Sequence, residues 1–130
     1  MPAAEVVDLA DELFAAIERG DEARIDELFS GDIAVWRAGA RREDDKVRAL
    51  KVLHWFIDVT TQRRYEILDR QLFPGGFVQQ HILHAAGRNG GSIALRVCIV
   101  IKVGVSPNSQ APISRIDEYF DPADIAPLMG

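Results

Sequence analysis

The sequence predicts an α+β domain in which three N-terminal helices, arranged around a short strand, cover one face of an antiparallel sheet built from consecutive hairpins. Two observations predict it. Before Thr61, apolar residues recur at three- and four-residue spacing; after it, they alternate or run in β-branched stretches bounded by Gly, Pro and Asn turns. Helices first and strands afterwards imply segregation of the helices to one side of the sheet. The length of 130 residues fits a single domain over 1–130, and no repeat or linker divides it.

The first helix carries Val6, Leu9, Ala10, Leu13, Phe14 and Ile17 on one face, with Glu5, Asp8, Asp11, Glu12 and Glu18 on the other. Gly20 is suited to end it in a left-handed conformation, and Asp21 to cap a short second helix that turns Ile25, Leu28 and Phe29 inward. Ile33 to Trp36 reads as a strand. After a polar loop, Asp44 is a candidate cap for a third helix over about Lys46 to Val59, with Ala49, Val52, Leu53, Phe56 and Val59 on its apolar face. Four strands follow: Tyr65 to Phe73, Phe77 to Ala86, Ile93 to Val105 and Ile113 to Phe120. Pro74-Gly75-Gly76, Arg88-Asn89-Gly90-Gly91 and Ser106-Pro107-Asn108-Ser109 are their turns. Asp121-Pro122 then starts a short terminal turn, with Asp as cap and Pro at the first helical position.

Composition narrows the function classes. A formal net charge of -5 and a pI of about 5.1 argue against nucleic acid as a partner, because phosphate binding needs a basic face. The longest apolar run, Val97 to Ile101, is strand-sized, far below the roughly 20 residues that span a bilayer. The acidic start from Glu5 does not resemble a signal peptide. Cys98 is the single cysteine, so no internal disulfide forms and a reducing, cytoplasmic location is expected. No Cys/His cluster has zinc spacing, no glycine-rich phosphate loop is present, and neither a metal nor an organic cofactor is expected.

The ending Ile113-Ser114-Arg115-Ile116-Asp117-Glu118-Tyr119-Phe120-Asp121-Pro122 resembles the terminal strand of the nuclear transport factor 2-like (SnoaL-like) superfamily, in its epoxide-hydrolase-like and polyketide-cyclase-like branch. Gly20-Asp21, followed by Leu28-Phe29 and Asp32, adds to the resemblance. The likeness implies a cone-shaped fold with a strongly bent sheet, a ligand pocket at the inner end, and a homodimer formed through the outer sheet face.

Alternation along the last strand puts Ser114, Ile116, Glu118 and Phe120 on the more apolar, inward side. The resemblance places an acidic catalytic residue at the Glu118 position. On the Phe77–Ala86 strand neither face is purely apolar. The resemblance sets Val78, Gln80, Ile82, His84 and Ala86 inward, with His81 outward. Ile82 and His84 would then stand where the epoxide-hydrolase branch has an arginine and an aspartate; a two-residue slip would substitute Gln80 and Ile82. Either register lacks the arginine that polarises an epoxide. The ketosteroid isomerase set fares no better, since Arg37, Leu13 and Ile99 stand near its aspartate, tyrosine and aspartate positions. Trp36, alternating with Ala34 and Ala38, is expected to line the cone, and Leu95, Val97, Ile99 and Ile101 to form an apolar wall. His54 reads as solvent-facing beside Lys51 and Asp58.

These residues define a pocket for a hydrophobic small molecule: Glu118 as general acid or base, His84 and Gln80 assisting, with Ile82, Trp36, Leu95, Val97, Ile116 and Phe120 as walls. Cyclase, isomerase or hydrolase-like chemistry fits this set. A non-catalytic ligand-binding or dimerisation module is the alternative, and an accessory subunit docked through the outer sheet face a third.

Overall fold

The structure is a computed structural model that describes residues 1–104 and 111–130. The expected turn Ser106-Pro107-Asn108-Ser109 lies outside the described residues. Three helices, α1 (Ala3–Arg19), α2 (Glu22–Leu28) and α3 (Lys46–Val59), accompany five strands: β1 (Phe29–Arg37), β2 (Thr60–Phe73), β3 (Gly76–Gly87), β4 (Ser92–Val103) and β5 (Ile113–Tyr119). A 3₁₀ helix, Pro122–Leu128, ends the chain.

All six apolar residues expected on the α1 stripe are buried, each worth roughly 1.5–3 kcal/mol for a large side chain removed from water. Gly20 ends α1 at φ 72°, its N–H directed at the carbonyls of Ala16 and Ile17. A side chain in that conformation is strained. Asp21 caps α2 by accepting from the Arg24 N–H at 3.0 Å.

The sheet runs β1-β5-β4-β3-β2. Every pairing is antiparallel except that of β1, which lies parallel to β5. β1 also starts at Phe29, before the expected Ile33. Register shifts between Thr60 and Gln62 and between Ile67 and Asp69 interrupt the β2–β3 ladder. Bulges of this kind add bend and twist, which is how the long hairpin curls around α1.

Cross-strand partners fix the faces. Arg37 sits opposite Glu118 and Val35 opposite Ile116; Ile99 faces Glu118 and Ile101 faces Ile116; Gln79 faces Ile99, His81 faces Val97, and Leu83 faces Leu95. All these residues share the inner, helix-covered side. The face expected for β3 is therefore reversed: Phe77, Gln79, His81, Leu83 and Ala85 are buried, while Gln80, Ile82 and His84 lie on the outer side. Trp36 is likewise outward, because Ile33 and Val35 take the buried positions of β1. Its ring packs on Tyr119 at 5.2 Å, and its indole N–H donates to the Ala40 carbonyl.

Arg63 joins the helix ends to β2. Its guanidinium donates to the carbonyl of Ile17 at 2.9 Å and to the Thr60 hydroxyl at 2.6 Å, with longer bonds to Ile57 and Glu18 carbonyls. It thereby adds a charged donor to carbonyls at the C-terminal ends of both α1 and α3, where the helix dipole favours a cation. Glu18 accepts from the Tyr65 backbone N–H at 2.9 Å and ties α1 to the same strand. Among the described residues, no helix is long and apolar enough to cross a membrane.

Candidate functional site

The best-formed apolar cavity lies between α3, the inner sheet face and the C-terminal segment, with a volume of about 100 Å³. Helix α3 supplies Val52, Leu53, Trp55 and Phe56; the sheet supplies Leu83, Ile93 and Leu95; Phe120 and Ile125 close the far side. Of the expected apolar face of α3, only Ala49 is buried, because the residues that follow it roof this space instead of entering the core. Val52 and Trp55 are each 37% exposed and form an apolar mouth.

Three polar side chains face this cavity: Arg37, Tyr65 and Glu118. The Glu118 carboxylate stands 3.4 Å from Arg37 Nε, and Asp44 takes Arg37 Nη1 at 3.1 Å. Burial pushes the Glu118 carboxyl above its ordinary range, and the Arg37 charge and hydrogen bond offset part of that rise. A carboxyl so poised exchanges a proton closer to neutrality than a solvated one does. Tyr65 is held far on the protonated side, first by burial and then by the negative charge of Glu118. Its hydroxyl makes no hydrogen bond to a described residue, so it remains a neutral donor available to a ligand.

A second polar cluster lies on the same face but is filled. Asp11 takes Arg70 Nη1 at 2.8 Å, Arg70 Nε donates to Gln79 Oε1 at 2.8 Å, and Gln79 Nε2 lies 2.8 Å from His81 Nδ1. Since the amide oxygen receives Arg70, the amide nitrogen donates to the histidine. His81 is therefore the neutral Nε2–H tautomer. Burial, followed by the Arg70 charge, pushes its pKa down to about 4. The ring packs edge-on against Tyr65 at 4.9 Å and Phe14 at 5.6 Å.

Of the sequence-predicted residues, Glu118, Phe120 and Leu95 line the cavity. Val97 and Ile116 are on the inner face but belong to the packed core. His84 does not approach Glu118; its Nε2 lies 2.8 Å from Glu66 on the outer face. Gln80 and Ile82 accompany it there, and Trp36 is outside as well, so none of these four borders the cavity. An open surface groove of about 890 Å³ does run past His84, Arg64 and Ala94. It lies largely over the outer face and carries no buried titratable group. His54 is exposed and contacts Glu22 at 2.7 Å.

Sequence reasoning missed Arg37, Tyr65 and the α3 mouth. The alternation Ile33, Val35, Arg37 holds the signal for the first: carrying the apolar phase two residues onward places the arginine inside. Among the described residues, no three His, Cys, Asp or Glu side chains converge as a metal-ligand set.

No family model and no curated protein matches the sequence. Solved structures do match. A Shewanella denitrificans protein assigned as a SnoaL-like polyketide cyclase superposes with a TM-score of 0.75 at 15% identity, covering 92% of each chain. An epoxide hydrolase of the limonene-epoxide-hydrolase-like kind from M. tuberculosis gives 0.73 at 16% identity, over 93% of this chain and 86% of that one. A Catenulispora acidiphila protein with a ketosteroid isomerase-like fold, in complex with trimethylamine, gives 0.71 at 8% identity over 90% and 88%. The chain thus has the nuclear transport factor 2-like, SnoaL-like cone fold.

Proposed function

We propose that this protein binds a small, largely apolar molecule in the α3–sheet cavity and moves a proton on it with Glu118. The observation that carries the reading is a half-buried carboxyl, raised above its usual range, facing an apolar space beside a tyrosine hydroxyl that makes no hydrogen bond to a described residue. Ionised Glu118 would accept a proton from the ligand and return it to the same or a neighbouring atom. Tyr65 would donate a hydrogen bond to the oxygen on which charge develops, and Arg37 would hold the carboxylate in place. The fold is shared with a SnoaL-like cyclase and an epoxide hydrolase, which supports chemistry in the cone without specifying it. The cavity is below the roughly 300–1,000 Å³ of drug-sized sites, so the ligand is small or extends through the Val52–Trp55 mouth.

The test begins with native mass spectrometry for copurified small molecules. Deuterium incorporation from heavy water into any bound compound then follows the proton transfer. Glu118→Gln should slow that transfer roughly 10²–10⁴-fold. Unchanged transfer, or a ligand seated away from Glu118, overturns the assignment. A non-catalytic binding module is the second reading, favoured by the existing Arg37–Glu118 pair; ligand capture with no exchange above the rate in water would establish it. The same proposal includes a homodimer through the outer sheet face, supported by Val78, Ile82, Cys98 and Val100 in a half-buried strip there. Sedimentation equilibrium at micromolar concentration should give twice the chain mass; a 14.4 kDa species would refute it.

A further inference from the structure

We propose that the ligand of this cavity is a small alkylammonium ion, seated between the Glu118 carboxylate and the surrounding aromatic rings. This goes beyond the preceding reading and takes from it only the cavity as the ligand site; a tetraalkylammonium offers Glu118 no proton and Tyr65 no oxygen, so such a ligand accords with the non-catalytic binding reading.

Charge supplies the first argument. One guanidinium, Arg37, is shared by two carboxylates, Asp44 at 3.1 Å and Glu118 at 3.4 Å. Arg48 also approaches Asp44, at 3.6 Å, but its side chain is 76% exposed and screened by water. With both acids ionised, the cluster of Arg37, Asp44 and Glu118 carries one net negative charge. A neutral ligand leaves that charge in an apolar space; a monovalent cation balances it. An anion would add to the negative side of the cluster, because Arg37 is already shared by Asp44 and Glu118.

The walls supply the second argument. Trp55, Phe56, Tyr65 and Phe120 all border the cavity. They come from α3, β2 and the segment after β5, so rings surround the space from separate elements. Aromatic faces are electronegative and attract cations by about 0.5–2 kcal/mol each, most strongly when water is excluded. Alkyl groups on the nitrogen would meet these rings and the aliphatic side chains of Leu53, Leu83 and Leu95 without burying unpaired N–H donors.

Size is the third. An engineered cavity of roughly 150 Å³ accepts benzene, so about 100 Å³ suits a head group of on the order of five non-hydrogen atoms. A trimethylated or tetramethylated nitrogen has that bulk. A tertiary ammonium has, in addition, a single N–H for a single carboxylate.

The experiment titrates the full chain with tetramethylammonium, trimethylammonium and tert-butanol, a neutral compound of nearly the same shape, followed by calorimetry and tryptophan fluorescence. Both cations should bind at least tenfold more tightly than tert-butanol. Glu118→Gln should erase that preference. Phe120→Leu, which keeps the site apolar and its carboxylate intact, should weaken the cations about threefold or more relative to tert-butanol. Equal affinity for tert-butanol and the cations overturns the ammonium assignment, as does a preference that survives both substitutions. Tert-butanol bound near Glu118 with no cation preference would leave the pocket reading standing. A cavity that takes none of the probes defeats both.

Discussion

The inner face of the sheet carries two arginine-centred clusters, and they use their polar groups differently. At the Arg70 end, Asp11, Arg70, Gln79 and His81 bond in series, and the histidine is walled in by Phe14 and Tyr65. At the Arg37 end, the pair Arg37–Glu118 and the Tyr65 hydroxyl border a cavity. The first cluster directs its bonding inward and stiffens the cone. Each keeps unused donors, but those of the first, Arg70 Nη2 and His81 Nε2, are buried in packing with no partner among the described residues, whereas the second opens on a space that a ligand can enter. The contrast teaches that a buried charged group marks a site only when space lies beside it.

Substitutions that empty the two ends should separate them most. Phe14→Ala removes a buried ring that contacts Tyr65, Phe77 and His81, and should cost about 3–5 kcal/mol in urea unfolding. Phe120→Ala widens a space that already exists and should cost about 1–2 kcal/mol, since a half-buried side chain forfeits less. Equal costs would break the comparison.

Protonation separates them next, with opposite signs. His81 has its pKa lowered to about 4 from 6.5, so the unfolded chain binds its proton first as pH falls. Its contribution is present above pH 6.5 and is lost as pH drops from 6.5 through 4, by up to about 3 kcal/mol. Glu118 has a raised pKa, so its contribution is present at low pH and is lost as pH rises through the folded value. Stability measured from pH 7 to pH 4 should fall steeply in the wild-type chain. Glu118→Gln should make that fall steeper, and His81→Gln should flatten it. A curve that His81→Gln leaves unaltered would remove His81 from the account.

The smallest effect belongs to His84. Its contact with Glu66 is solvent-exposed, where such pairs contribute at most about 1 kcal/mol. His84→Ala should shift stability by about 0.5 kcal/mol or less and leave ligand affinity within twofold. A larger loss of affinity would return the outer groove to consideration.

These outcomes follow from what was legible in the chain. The α1 stripe, the α3 limits at Lys46 and Val59 and the inward phase of Leu95 to Ile101 could be read directly, because one face of each is apolar and the other polar. Glu118 could be placed because Ile116 sets the phase beside it. The phase of β3 could not be read. Its buried face holds Gln79, which Arg70 from the neighbouring strand and His81 Nδ1 satisfy, and His81, whose Nε2 is buried without a partner among the described residues; its outer face holds Val78 and Ile82. Strands repeat every two residues, so an error of one position exchanges all contacts; that is how His84 and Trp36 read as cavity residues and His81 as a surface one.

The sequence by itself determined the element order, the α+β class and the side of the sheet on which Glu118 lies, since local periodicity encodes all three. Only the tertiary structure decided that Arg37 and Tyr65 meet Glu118. Their approach depends on β1 lying parallel to β5, with Arg37 opposite Glu118, and on the curl of β2 around α1. The β1–β5 pairing joins strands far apart in the chain, and the packing of β2 on α1 is likewise non-local, so no local pattern specifies either.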